Sequence, residues 1–294
     1  MLCLFRKGDK MALKNNEINI LLKKEKKFIE QKPLNLFKKE KETLSNIFDE
    51  KVPEKVRIST EATFESAFEF IFEKGDSVLE KTYSKEKILN EYEKNKNKFN
   101  SNKTKSNLRS FDRSVKISNT INTAFTGIKS TAMGVLGVGM PDIPVFIGEI
   151  IRTIYQTGLK YGYDHKTENE KIYILSVIGF GLSCGKEREY YSNLCDDIAY
   201  SIEKNSELKV IFSDIEKKIS ALMVSKVCGL KIVQGIFVIG IISSFGNISV
   251  MDNISKGAYL KYKKRFIMYK LVNKNWFFIN LLLTLLILSH IITL

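Results

Sequence analysis

The stretch DIPVFIGEIIRTIYQTGLKYGYDHKTENEKIYILSVIGFGL, residues 142–182, decides the fold class. Asp142 is a good helix cap, and Pro144 falls in the first helical turn, where a missing N–H costs nothing. Val145 to Tyr161 follow as an apolar helix, and Gly162 ends it. A short polar turn then leads into a second helix, Glu168 to Leu182. Neither run alternates with period two, and no other part of the chain does so for long, so the protein reads as all-α.

Downstream, the pattern predicts helices over Glu187 to Ser201 and Glu207 to Cys228, and a basic helix over Val250 to Leu271. Between them, Leu230 to Gly246 is apolar, with Gly235 and Gly240. Its 15 residues from Ile232 would span only about 22 Å as a helix. Gln234, Ser243 and Ser244 break it, so a core helix fits better than a membrane span, with shallow membrane contact left open.

Upstream, Val115 to Ala132 is helical in pattern and leads into Gly134, Gly137 and Gly139. These glycines lack the preceding strand and the following Lys-Ser or Lys-Thr of a phosphate loop, and they read as a tight helix–helix turn. Residues 90–107 are rich in Asn, Lys and Ser, which marks a flexible connection or a frayed helix end. Pro53 opens a helix with Phe64, Ala67, Phe68, Ile71 and Phe72 on one face, and Gly75 breaks or bends it. Residues 11–50 read as solvated, amphipathic outer helices.

The chain carries a net charge of +14, which points to polyanionic partners. Placement narrows the choice. Lys256, Lys261, Lys263, Lys264, Arg265, Lys270 and Lys274 fall in one stretch that holds no acid. Only seven of the 47 basic residues are Arg, the side chain best suited to bidentate phosphate and base contacts, so nucleic acid is not the expected partner. Four cysteines without metal-type spacing fit a reducing compartment, and no secretory leader is evident.

Trp276 to Leu294 contains no Asp, Glu, Lys or Arg. As a helix it would be about 28 Å long, close to the roughly 30 Å of a bilayer's hydrocarbon core. Apolar residues surround the axis, Trp276 suits the interfacial belt, and the basic run before it places the body on the cytoplasmic side. Lys261, Lys263, Lys264, Arg265, Lys270 and Lys274 are then expected to meet anionic headgroups. The competing reading is a C-terminal core helix, with Asn280, Ser289 and His290 partnered inside the protein.

Asp142, Glu149 and Arg152 share one helical face and form the candidate catalytic cluster; a cap plus a structural ion pair is the commoner account of such a group. The two histidines, His165 and His290, are too far apart in sequence and context to build a metal centre, so neither metal nor cofactor is expected.

Several of these stretches resemble the EcsC family, a group of helical bacterial proteins named for a gene found beside an ABC transporter. Pro53-Glu54-Lys55 is similar to its opening. Gly139-Met140-Pro141-Asp142-Ile143-Pro144 resembles its G-x-P-D-[LI]-P signature, and Tyr161-Gly162-Tyr163-Asp164 the Y-G-Y-D that follows. Asn247, Ala258, Tyr262, Arg265 and Phe266 resemble its closing pattern. The resemblance covers roughly residues 50–270. Val233-Gln234-Gly235 departs from it where members often carry a proline, and the tail from Trp276 extends beyond the usual family end.

The expected organisation is amphipathic N-terminal helices over 1–50, a helical domain over 51–272 and a transmembrane anchor over 276–294. The expected function is that of an accessory or interaction protein held at the membrane, with an ABC transporter or another membrane complex as the partner that the family's naming context suggests. The alternative is a lipid-acting enzyme at the membrane surface using Asp142, Glu149 and Arg152. The oligomeric state is open.

Overall fold

The computed structural model describes residues 2–31, 53–113, 142–228 and 244–271, and every regular element among them is helical. In chain order these are α1 (Leu2–Ile29), α2 (Glu54–Phe70), α3 (Asp76–Glu80), α4 (Lys85–Ser101), α5 (Lys105–Arg113), α6 (Asp142–Lys160), α7 (Glu168–Leu182), α8 (Gly185–Lys204), α9 (Phe212–Met223) and α10 (Ser244–Arg265). Single π turns extend α2, α9 and α10 over Ile71–Gly75, Val224–Cys228 and Phe266–Lys270. The stretches Val115 to Ala132, Leu230 to Ile242 and Trp276 to Leu294, with Gly134, Gly137, Gly139 and Pro141, lie outside the described residues. Among those described, no helix is long and apolar enough to cross a membrane.

The centre of the bundle is α7, apolar on every side and buried from Ile172 to Gly181. A helix without a polar face has to be enclosed. It is flanked by α8, α9 and α10, while α6 touches its edge and packs against α10, α2 and α4. Thr167 caps its start, its Oγ1 accepting from the Glu170 N–H at 3.3 Å. Where α7 meets α10 the backbones come close: a Cβ on Gly181 would stand 2.6 Å from the Ile254 Cα.

The helix over 142–160 ends on Gly162, which adopts φ +76°. Tyr163 N–H returns to the Gly158 carbonyl at 2.9 Å and Gly162 N–H to Leu159 at 2.9 Å, the paired bonds of a Schellman cap.

Two expectations need correction. Residues 90–107 are not a connection: α4 runs through Ser101, and only Asn102 to Thr104 interrupt the helical path into α5. Tyr92, Asn95 and Phe99 recur on one face and are buried, a narrow stripe that the polar composition hid. Asn107 Nδ2 closes the break, donating to the Asn102 carbonyl at 2.7 Å.

The N-terminal region, expected as solvated, amphipathic outer helices, keeps a solvated face in α1 but buries the other where it is described. Glu17, Leu21, Glu25 and Phe28 form one buried stripe of α1, set against α8 and α10.

Candidate functional site

The basic run on α10 turns inward. Lys261 is 1% exposed, Lys263 4% and Arg265 3%, so these three do not meet headgroups in this arrangement. A buried cation costs several kcal/mol (roughly) unless it is paired and hydrogen-bonded, and here each one is met by acids from other helices. Lys274 lies outside the described residues.

Arg265 is the most tightly held. Its Nη1 and Nη2 donate to the two Glu170 oxygens at 2.8 and 2.6 Å, and its Nε donates to Glu203 Oε1 at 2.8 Å. The guanidinium carbon lies 4.2 Å from the Tyr163 ring centroid and 4.9 Å from that of Tyr173. Burial opposes its charge, but the Glu170 hydrogen bonds and the Glu170 charge outweigh burial and raise its pKa. Only the planar fork of Arg makes this set of contacts.

One turn earlier, Lys261 donates to Glu25 Oε1, to the Ser192 carbonyl and hydroxyl at 2.7 Å each, and to Asp196 Oδ1 at 3.0 Å. Lys264 donates to the other oxygens of the same acids, Glu25 Oε2 at 2.9 Å and Asp196 Oδ2 at 2.6 Å. Lys263 points to the opposite flank, reaching Asp112 Oδ2 at 2.7 Å and Glu17 Oε2 at 3.8 Å. Asp112 Oδ1 in turn accepts from the Tyr161 hydroxyl at 3.0 Å. Lys270 is exposed, but its ammonium tucks back over the Tyr163 ring, 4.0 Å from the centroid, and donates to the Gly162 carbonyl. Burial pushes its pKa down to about 8.

The Y-G-Y-D residues are thereby explained one by one. Tyr161 joins the Asp112–Lys263 pair, Gly162 supplies the left-handed cap, and Tyr163 stacks on Arg265. Asp164 Oδ1 accepts the His165 N–H at 2.8 Å and faces Lys85 at 3.5 Å. Tyr262 is buried between Tyr163 and Tyr173. Pro144 is buried in the first turn of α6, and the side chains of Asp142 and Asn247 lie outside the described residues.

Of the candidate catalytic cluster, Glu149 and Arg152 lie on α6, and the side chain of Asp142 lies outside the described residues. Arg152 is half-buried and donates through Nη2 to the Thr82 carbonyl at 3.1 Å, with Glu149 supplying a nearby negative charge. That is a tie between α6 and the turn after α3. Among the described residues, no group of three or more His, Cys, Asp or Glu is placed to hold a metal.

The acids Glu17, Glu25, Asp112, Glu170, Asp196 and Glu203 escaped the sequence reading because they come from four separate helices. Two signals were available: Glu17, Leu21, Glu25 and Phe28 share one face of α1, and Thr167-x-x-Glu170 is a capping box.

The Glu25 carboxyl illustrates the energetics. Burial works to raise its pKa, yet Lys261 and Lys264 together hold it below the ordinary 4.5. A carboxyl depressed on folding stabilises the native state fully above that ordinary value, and the contribution disappears as pH falls through the folded value. The gap in urea midpoint between wild type and Glu25→Gln should therefore be widest near pH 7 and shrink on acidification to pH 4. A constant gap would mean that the charge does not carry the effect.

No curated protein and no solved structure matches the chain. A sequence model does match: that of the EcsC protein family, over residues 15–267. The match begins inside α1, earlier than the motifs alone suggest, and takes in Glu17 and Glu25 with their lysine partners. On that match, spanning most of the sequence, the chain belongs to the EcsC protein family.

Proposed function

We propose that this protein is a membrane-anchored helical accessory or interaction protein, attached by Trp276 to Leu294 with its body on the cytoplasmic side, and that it works beside a membrane protein complex such as an ABC transporter. The observation that carries the proposal is the tail: nineteen residues without a charge, long enough as a helix to cross the hydrocarbon core, directly after a lysine-rich stretch. The tail lies outside the described residues, so its sequence is its whole support.

An interaction role is favoured over an enzymatic one by how the body spends its polar groups. The buried acids and bases of α10 and its neighbours neutralise one another in fixed pairs, whereas catalytic acids and bases are held with a reacting group in reach. The lipid-acting alternative built on Asp142, Glu149 and Arg152 has no observation in its favour.

Carbonate extraction of membranes tests the anchor. The full chain should remain in the pellet, and a chain ending at Asn275 should be released. Release of both would reject it.

A further inference from the structure

Apart from the acids of α1 itself, the seat of α1 is basic among the described residues. Beneath the stripe Glu17, Leu21, Glu25 and Phe28 lie Lys261, Lys263 and Lys264 of α10, Lys105 of α5 and Arg188 of α8, with only Asp112 and Asp196 contributed by the body as counter-charges. Three donors converge on one point: Lys261 Nζ, Lys264 Nζ at 2.9 Å and the Ser192 hydroxyl at 2.9 Å all reach the Glu25 carboxylate.

One turn along, Arg188 is 3% exposed and, among the described residues, is met by backbone carbonyls and no carboxylate. It donates to the Phe28 carbonyl at 2.6 Å and lies 4.0 Å from the Phe28 ring centroid, so the negative end of α1 stands in for an acid. Phe28 itself fills an apolar hole against Phe180, with ring centroids 5.2 Å apart. Opposite the stripe, Asn19, Lys23, Lys26, Lys27 and Glu30 are exposed, and Lys24 reaches no closer than 6.0 Å to the Tyr259 ring centroid.

A trough with this floor selects its guest by chemistry. It takes a helix with acids eight residues apart, an apolar residue midway between them and an aromatic three residues after the second acid, which is helix-in-groove recognition with charge specificity added. We propose that the trough between α8 and α10 is a receptor for an amphipathic helix of a partner protein that carries two acids on its buried face, and that α1 occupies it in cis as an internal competitor. This deepens the accessory reading by naming the surface and the partner's chemistry. It stands on the trough alone, so a failed peptide titration leaves the carbonate result intact, and the reverse.

The test uses the full chain in a non-ionic detergent and a fluorescein-labelled synthetic peptide of residues 12–31, read by anisotropy. Glu17→Lys with Glu25→Lys in the protein sets like charges against Lys261, Lys263 and Lys264 and should expel α1, so the peptide should bind this variant at least ten-fold more tightly than wild type. A peptide carrying Glu25→Lys, or a scrambled peptide of equal charge, should bind at least ten-fold more weakly. Equal affinity for wild type and variant overturns the proposal, as does equal binding of the scrambled peptide. Dimerisation of the variant without peptide assigns the trough to a second copy and also overturns it.

Hydrogen exchange on the wild-type chain covers the case in which the variant fails to fold. Amides of residues 16–31 should exchange at least ten-fold faster than those of α7, reporting an α1 that leaves a standing bundle. Exchange of both at one common rate overturns the proposal.

Discussion

Replacing Arg265 by Met should lower the unfolding free energy by about 3–5 kcal/mol, the usual cost of removing one partner from a buried ion pair. The guanidinium is 3% exposed and answers two carboxylates at once, Glu170 from α7 and Glu203 from α8. Its loss leaves Glu170 buried without the cation that both of its oxygens now answer. Lysine at this position should recover only part of the loss, since a single ammonium cannot form the fork to Glu170 and the Nε bond to Glu203 together. Removing the acid as well, in Arg265→Met with Glu170→Leu, should recover more than lysine does. Urea denaturation followed by far-UV circular dichroism checks the order; a midpoint shift within error of wild type for the single variant would show that the network contributes nothing.

Gly162→Ala should be the second most damaging change, for two reasons that add. A residue with a Cβ at φ +76° is strained by about 1–3 kcal/mol. The new methyl would also stand inside the ring of Tyr92, and forcing that ring aside costs a further 1–3 kcal/mol or so. Tyr92 lies 6.0 Å from Phe111, which packs at 4.8 Å on Phe266, so the displacement should propagate into the π turn after α10. Asn at 162 tolerates the backbone but not the contact. If Gly162→Asn proves as stable as wild type, the Tyr92 contact has no weight.

These two positions also mark what the sequence could and could not disclose. The helix pair around Gly162 was legible because its signals are local: an N-cap residue, a proline in the first turn, an unbroken apolar run and a glycine stop. The bounds Glu168 to Leu182 agree with α7 residue for residue. The lysine run was read in the wrong direction for the same reason. On the sequence alone, Lys261, Lys263, Lys264 and Arg265 are cations without acids, and such a run is normally a solvated or lipid-facing surface. Their partners sit up to 239 residues away, on helices whose own acids look like ordinary surface charge.

The polar stretch 90–107 failed through composition. Three inward residues, Tyr92, Asn95 and Phe99, suffice to seat α4, yet they are diluted among lysines and asparagines that face water. Burial depends on which positions recur along a face, and an average over the stretch does not record that.

The basic face of α10 is consumed inside the protein, and the membrane attachment proposed above rests on the tail beyond it. Lysine acetylation of the full chain in anionic vesicles, read residue by residue by mass spectrometry, tests this most directly. Lys261, Lys263 and Lys264 should be modified at least ten-fold more slowly than the exposed Lys23, Lys26 and Lys98, with or without anionic lipid. Modification of the α10 lysines at the rate of those surface residues, with protection appearing only when anionic lipid is added, would contradict it.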